Sequence, residues 1–200
     1  MSAYRRKDAF YARAKAQGLR SRAAFKLEEL QREYRLLKPG DRVVDLGAWP
    51  GGWLQVSARL VGQRGRVVGV DVEPIPPLAN CPQVESLQAD IESPEVVALV
   101  AEKLGGRADV VLCDVAPKLT GIRDRDQAQA RGLAERAIEL AQLWLRPGGT
   151  LLIKLFMGGE TQEIVSRLRK LFARVDVTRP DATRRGSSEM YAIARGFRGT

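Results

Sequence analysis

Asp45-Leu-Gly-Ala-Trp-Pro-Gly-Gly-Trp53 decides the reading of this chain. It follows the hydrophobic run Arg42-Val-Val-Asp-Leu46 and opens a stretch of helical spacing, Gly52 to Leu60. A strand, a glycine turn and a helix in that order form one unit of a parallel α/β sheet. Ligands bind such sheets in the crevice at the carboxyl ends of the strands. Gly47, Gly51 and Gly52 let the backbone approach a ligand closely. The spacing is not G-x-G-x-x-G, so a dinucleotide is disfavoured. Asp45, just before the first glycine, would repel a pyrophosphate and suits a ligand with positive charge.

S-adenosylmethionine carries an ammonium and a sulfonium, so it is the expected cofactor. The next strand ends in Val70-Asp71, where an acid can hydrogen-bond a ribose diol. Asp90 is read as ending the third strand, placed to reach an adenine edge. Trp53 could pack on the cofactor or staple its helix to the sheet.

The pattern continues outward. Arg66–Asp71, Ala108–Asp114 and Gly149–Leu155 read as buried parallel strands, and Val84–Ala89 as a weaker one. Arg174–Thr178 and Met190–Arg195 close the sheet as a late pair. Helical spacing marks Ala23–Leu30, Pro94–Leu104, Gln127–Leu145 and Glu160–Phe172. Pro94 is expected to start its helix and Pro147-Gly-Gly to stop the long one. The expectation is a mostly parallel, seven-stranded Rossmann-like sheet flanked by helices, with residues 1–20 as a basic arm and 21–200 as one domain.

Composition narrows the chemistry. The 200 residues carry a net charge of +9 and no histidine. That excludes Ser-His-Asp and Cys-His catalysis and every histidine-ligated metal. Two cysteines, Cys81 and Cys113, cannot build a disulfide framework or a four-cysteine zinc site, and no metal is expected. Their hydrophobic settings fit a reducing cytoplasm. No apolar run of about 18 residues suggests a membrane span, and no signal peptide is expected.

Arg5, Arg6, Lys7, Arg13, Lys15, Arg20, Arg22 and Lys26 crowd the first segment. Arg179, Arg184, Arg185, Arg195 and Arg198 cluster late. Such charge suits phosphate contacts, so nucleic acid is the leading partner beside the alternative of a solvated arginine-rich surface, and the arm and the Arg179–Arg185 region are where it would be touched.

Lys154 lies in the apolar run Leu151-Leu-Ile-Lys-Leu-Phe156, which is unusual unless it is paired or at a functional rim. Asp114 ends the neighbouring strand, Glu189 precedes the last one, and Lys26 projects from the first helix. Singly each reads as an ordinary salt-bridge partner; jointly, beside a cofactor loop, they read as a catalytic group.

These landmarks are collinear: Ser21-Arg-Ala-Ala-Phe-Lys-Leu, the glycine loop, Cys113-Asp-Val-Ala-Pro, Arg146-Pro-Gly-Gly, Ile153-Lys-Leu-Phe and Glu189-Met-Tyr-Ala-Ile-Ala. Together they resemble the FtsJ/RrmJ (RlmE)-type ribosomal RNA 2′-O-ribose methyltransferases over most of the chain. The resemblance implies a catalytic tetrad at Lys26, Asp114, Lys154 and Glu189. It implies cofactor contacts at Gly51, Trp53, Asp71, Asp90 and Asp114, beside Asp45 and Gly47 of the loop. It also implies methyl transfer from S-adenosyl-L-methionine to a uridine of 23S rRNA in the 50S subunit. Lys154 would be the general base, because a ribose hydroxyl must lose its proton as it attacks. Trp49 departs from the pattern, which has a small residue there.

A monomer is expected for a domain that docks on a large particle. The rivals are a methyltransferase of another RNA such as tRNA, a ribosome-assembly factor that binds RNA without chemistry, and a nicotinamide-dependent oxidoreductase. The absent fingerprint and Asp45 count against the last.

Overall fold

The computed structural model describes residues 9–117, 120–158, 161–183 and 186–199. The elements run α1 (Ala9–Ala16), α2 (Ala23–Tyr34), β1 (Arg42–Leu46), α3 (Gly52–Val61), β2 (Arg66–Asp71), β3 (Val84–Gln88) and α4 (Val96–Leu104). Then come β4 (Ala108–Cys113), α5 (Arg123–Trp144), β5 (Leu145–Phe156), α6 (Thr161–Leu171), β6 (Phe172–Thr178) and β7 (Glu189–Phe197). The seven strands form one sheet in the order β3-β2-β1-β4-β5-β7-β6. β1 to β5 pair in parallel, and β7 pairs antiparallel with both β5 and β6. This is the Rossmann-like α/β sheet that the alternating runs led us to expect. No helix among the described residues is long and apolar enough to cross a membrane.

Strand alternation divides the core into two layers. Val44, Leu46, Val111 and Ile153 pack in the layer that holds α4, α5 and α6. Val43, Leu112, Leu152, Tyr191 and Ile193 pack in the other, with Leu27 and Leu30 of α2 and Leu54 of α3. Period two therefore puts Asp45, Lys154 and Glu189 on the α2/α3 side of the sheet. The chain order reverses between β1 and β4, where β2 lies to one side and β5 to the other. That reversal opens a crevice beyond the strands' carboxyl ends.

Several boundaries differ from expectation. α4 begins at Val96, two residues after Pro94. The Pro94 carbonyl accepts only a tight-turn bond from Val97 N at 3.4 Å, and the helical pattern starts with Leu99 N to Glu95 O. α5 begins at Arg123, earlier than the apolar spacing suggested, and ends at Trp144 rather than at Pro147. Leu145 is already extended and pairs with Ala108, so the helix runs straight into β5. Pro147-Gly-Gly instead lies in an irregularity of that strand, where the register moves from Ala108↔Leu145 to Val110↔Thr150. β3 stops at Gln88, so Asp90 follows the strand instead of ending it. β4 likewise stops at Cys113, leaving Asp114 just past the ladder. Phe172 belongs to β6, not to α6, and its ring packs 5.3 Å from Phe197 on β7.

The N-terminal segment is docked against the body. Ala14 of α1, Phe25 of α2 and Ala182 form a small apolar cluster. The Arg13 guanidinium sits 4.8 Å over the Phe25 ring. Arg22 Nη2 donates to Ala182 O at 2.6 Å, and Glu29 accepts the N–H groups of Asp181 and Ala182. Arg179 Nη2 donates to Ser187 O. Arg5, Arg6, Lys7, Arg184 and Arg185 lie outside the described residues.

Candidate active site

Two groups of side chains share the crevice. The first surrounds the glycine loop. Asp45 is fully buried at the end of β1, and neither carboxylate oxygen has a hydrogen-bond partner. Burial pushes its carboxyl well above the usual carboxylate range, helped by the negative charges of Asp114 and Asp71. Asp71 instead holds backbone: Oδ2 accepts Trp49 N and Oδ1 accepts Glu73 N, each at 2.9 Å. Asp90 Oδ1 accepts Glu92 N at 2.9 Å, and its side chain is exposed.

Protein atoms already make the close approach at the glycines. A methyl on Gly47 would lie 2.9 Å from Val115 N, one on Gly51 2.9 Å from Arg20 Nη1, and one on Gly52 2.3 Å from Ser21 Oγ. The indole N–H of Trp53 donates to Ala23 O at 2.8 Å, and its ring lies 6.0 Å from Tyr191. It thus ties α3 to α2 and to the sheet. Trp49 precedes a cis bond to Pro50 and is 56% exposed.

The second group joins β4, β5, β7 and α2. Lys154 Nζ donates to Asp114 O at 2.6 Å and lies 3.1 Å from Asp114 Oδ1. Glu189 Oε1 is 3.9 Å from the same amine. Lys26 Nζ bonds Glu189 Oε2 at 3.1 Å and Tyr191 Oη at 3.3 Å. The Tyr191 hydroxyl donates to Asp114 Oδ1 at 2.6 Å. Lys26, Asp114, Lys154 and Glu189, scattered over the chain, form one closed network through Tyr191.

Register explains the meeting. Lys154 pairs directly with Tyr191, and Phe156 with Glu189. Cys113 pairs with Ile153, which puts Asp114 beside Lys154. Burial pushes the Cys113 thiol up to about 12, so it is no nucleophile here. A groove between α5 and α6, lined by Ala134, Leu155 and Ile164, opens on the opposite layer and contains none of these groups.

The sequence pattern of FtsJ-like methyltransferases matches residues 19–197. The chain belongs to the FtsJ-like methyltransferase family.

Relatives in this family agree over nearly the whole chain. It is 44% identical to the ribosomal RNA large subunit methyltransferase E of Methanosphaera stadtmanae, over 97% of this chain and 95% of that protein. It is 46% identical to the enzyme of the same name from Bradyrhizobium diazoefficiens, over 96% and 84%. Among solved structures, a ribosomal RNA methyltransferase of Plasmodium falciparum superposes with a TM-score of 0.79. That match has 26% identity and covers 90% of this chain and all (100%) of that one. Fibrillarin of Aeropyrum pernix, solved with bound S-adenosyl-L-methionine, shares the fold alone, at TM-score 0.60 and 19% identity over 88% and 74%.

For an FtsJ-like methyltransferase the implied methyl donor is S-adenosylmethionine, and the crevice fits it. A buried acid with no protein partner calls for a proton or a cation, and Asp45 is such an acid. The donor carries both an ammonium and a sulfonium. Tyr191 is the member of the network that the sequence reading missed. Its hydroxyl is buried and hydrogen-bonded to Asp114, and its pKa is raised, chiefly by burial and then by the Asp114 charge. The available signal was its place two residues after Glu189, on the same strand face.

Proposed function

We propose that this FtsJ-like methyltransferase methylates the 2′-hydroxyl of a uridine in 23S rRNA of the large (50S) ribosomal subunit. Lys154 is the general base of this reading. The observation that carries it is the seat of Lys154, whose side chain is 4% exposed and whose amine lies within 3.1 Å of Asp114 Oδ1. In its neutral form a lysine keeps two N–H bonds and one lone pair. The two N–H groups can stay on the Asp114 carbonyl and carboxylate oxygens, which leaves the lone pair for the ribose hydroxyl proton.

Lys26 and Glu189 position the ribose. Lys26 Nζ is tied to Glu189 Oε2 and Tyr191 Oη, while the other Glu189 oxygen stands 3.9 Å from Lys154 Nζ. Asp45, Gly47, Gly51, Trp53, Asp71, Asp90 and Asp114 would hold the methyl donor. When bound, S-adenosylmethionine supplies an electrophilic methyl group. Alignment of donor and hydroxyl can contribute several kcal/mol to the barrier, about 7 or more in favourable cases.

The large-subunit RNA follows from the names of the whole-chain relatives. The chain acts as a cytoplasmic monomer, with the basic arm and the Arg179–Arg185 region on the RNA. The test is a labelled methyl-transfer assay with 50S subunits from cells lacking the activity, beside protein-free rRNA and tRNA. Label in a 2′-O-methyluridine of 23S rRNA is expected. Label in tRNA would reassign the substrate. Bound donor with no transfer to any RNA would favour an assembly factor.

A further inference from the structure

Arg20 counts, in the sequence, among the charges expected to face RNA. Its side chain is partly buried and engaged by the protein's own carbonyls. Nη1 donates to Pro76 O at 2.5 Å and to Pro50 O at 3.5 Å, and Nη2 donates to Pro77 O at 2.7 Å. Pro50 lies in the turn after β1. Pro76 and Pro77 lie in the segment after β2. These are the two connections that flank Asp45 and Asp71 at the crevice. One planar guanidinium thus joins both, which the single-point ammonium of lysine does poorly.

The clamp is anchored at its base. Arg20 N donates to Gln55 Oε1 at 2.7 Å, and Gln55 Nε2 donates to Gly18 O at 3.0 Å. Gln55 stands on α3, the helix that the glycine loop opens. Gly51, at φ 104°, passes so close that a methyl there would meet Arg20 Nη1 at 2.9 Å. The missing side chain at Gly51 therefore makes room for Arg20.

We propose that Arg20 is a positioning residue for the methyl-donor crevice rather than a phosphate contact. It holds the turns after β1 and β2 in the spacing that the donor needs, and it links the N-terminal segment to donor affinity. This rests on the reading that S-adenosylmethionine occupies that crevice.

The test uses the full chain and Arg20→Ala, Arg20→Lys, Gln55→Ala and the Arg20→Ala/Gln55→Ala double variant. Each is titrated with S-adenosylmethionine by calorimetry, and each is bound to large-subunit rRNA across a salt series. Arg20→Ala should weaken donor binding about tenfold or more, the scale of one charge-assisted hydrogen bond. Arg20→Lys should recover part of the loss. The double variant should bind about as well as Arg20→Ala alone, because Gln55 acts through Arg20. The salt slope of RNA binding should stay at the wild-type value.

Donor affinity within about threefold of wild type in Arg20→Ala, or a salt slope shallower by about one unit, would overturn the clamp. If Arg20→Ala does not fold, Arg20→Lys and Gln55→Ala decide by the same readouts. Wild type that fails to bind the donor would overturn the reading of the crevice itself, and the clamp with it.

Discussion

The two halves of the crevice handle buried charge in opposite ways. On the β1 side, Asp45 lies fully buried with neither oxygen paired. On the β4–β5–β7 side, Lys26 and Lys154 are nearly as deep, Asp114 and Glu189 are partly buried, and each is bonded to another member or to Tyr191. A buried ion without a partner is costly, and the protein meets that cost by favouring the protonated acid. The paired quartet carries its own compensation. Under the proposed function, the unpaired half receives a cation from outside and the paired half handles a proton.

The largest effect that would break this contrast lies in the paired half. Lys154→Ala should lower turnover about 10²- to 10⁴-fold, the usual contribution of a general base. Donor titration of that variant should stay near wild type. Normal turnover would remove Lys154 from the base role.

Next comes the unpaired acid. Asp45→Asn keeps the shape and removes the charge, so donor affinity should fall about 10- to 100-fold, on the scale of a hydrogen bond to a charged group. Calorimetry in buffers of different ionisation enthalpy should show wild type releasing protons as the donor binds. Affinity should therefore rise with pH until Asp45 is ionised in the free protein. A pH-independent affinity would mean that the donor does not meet this acid.

The same residue makes a smaller prediction about stability. A carboxyl raised above its unfolded value destabilises the fold as pH climbs from the ordinary carboxylate range, about 3.9, through the raised value. The contribution is at most about 1.4 kcal/mol per pH unit for one proton. Thermal midpoints without donor should show that slope, and Asp45→Asn should flatten it. An unchanged slope would point to another titrating group.

Tyr191→Phe should be the mildest. It removes the bond to Asp114 and the one from Lys26, costing about 1–3 kcal/mol of stability. It should also slow turnover more than it weakens donor binding. If it weakened donor binding more, the two halves would be less separate than their hydrogen bonds make them.

Most of the sheet was legible because its strands are short, apolar and bounded by glycine or polar residues. Val43, Val44, Val67, Val68, Val111 and Leu112 are all buried as their runs suggested. Helix starts were less legible. The turn at Pro94 and the early start at Arg123 depend on backbone bonds that no apolar spacing announces. The tetrad was legible as four separate charged residues in odd places. Tyr191 was not, since a tyrosine in an apolar strand reads as core until its hydroxyl is seen against Asp114. Arg20 was legible only as charge. Its three proline carbonyls come from turns distant in the chain.

By itself the sequence determined the alternation of strands and helices, the glycine turn after β1 and an acid at its head. These are local matters of side-chain period and backbone freedom. It also determined that no histidine does the chemistry. The tertiary structure decided that the last strand lies between β5 and β6. That placement sets Tyr191 against Lys154 and brings Glu189 to both lysines. Which buried charges found partners and which did not depends on the pairing of strands far apart in the chain, and no local pattern specifies that.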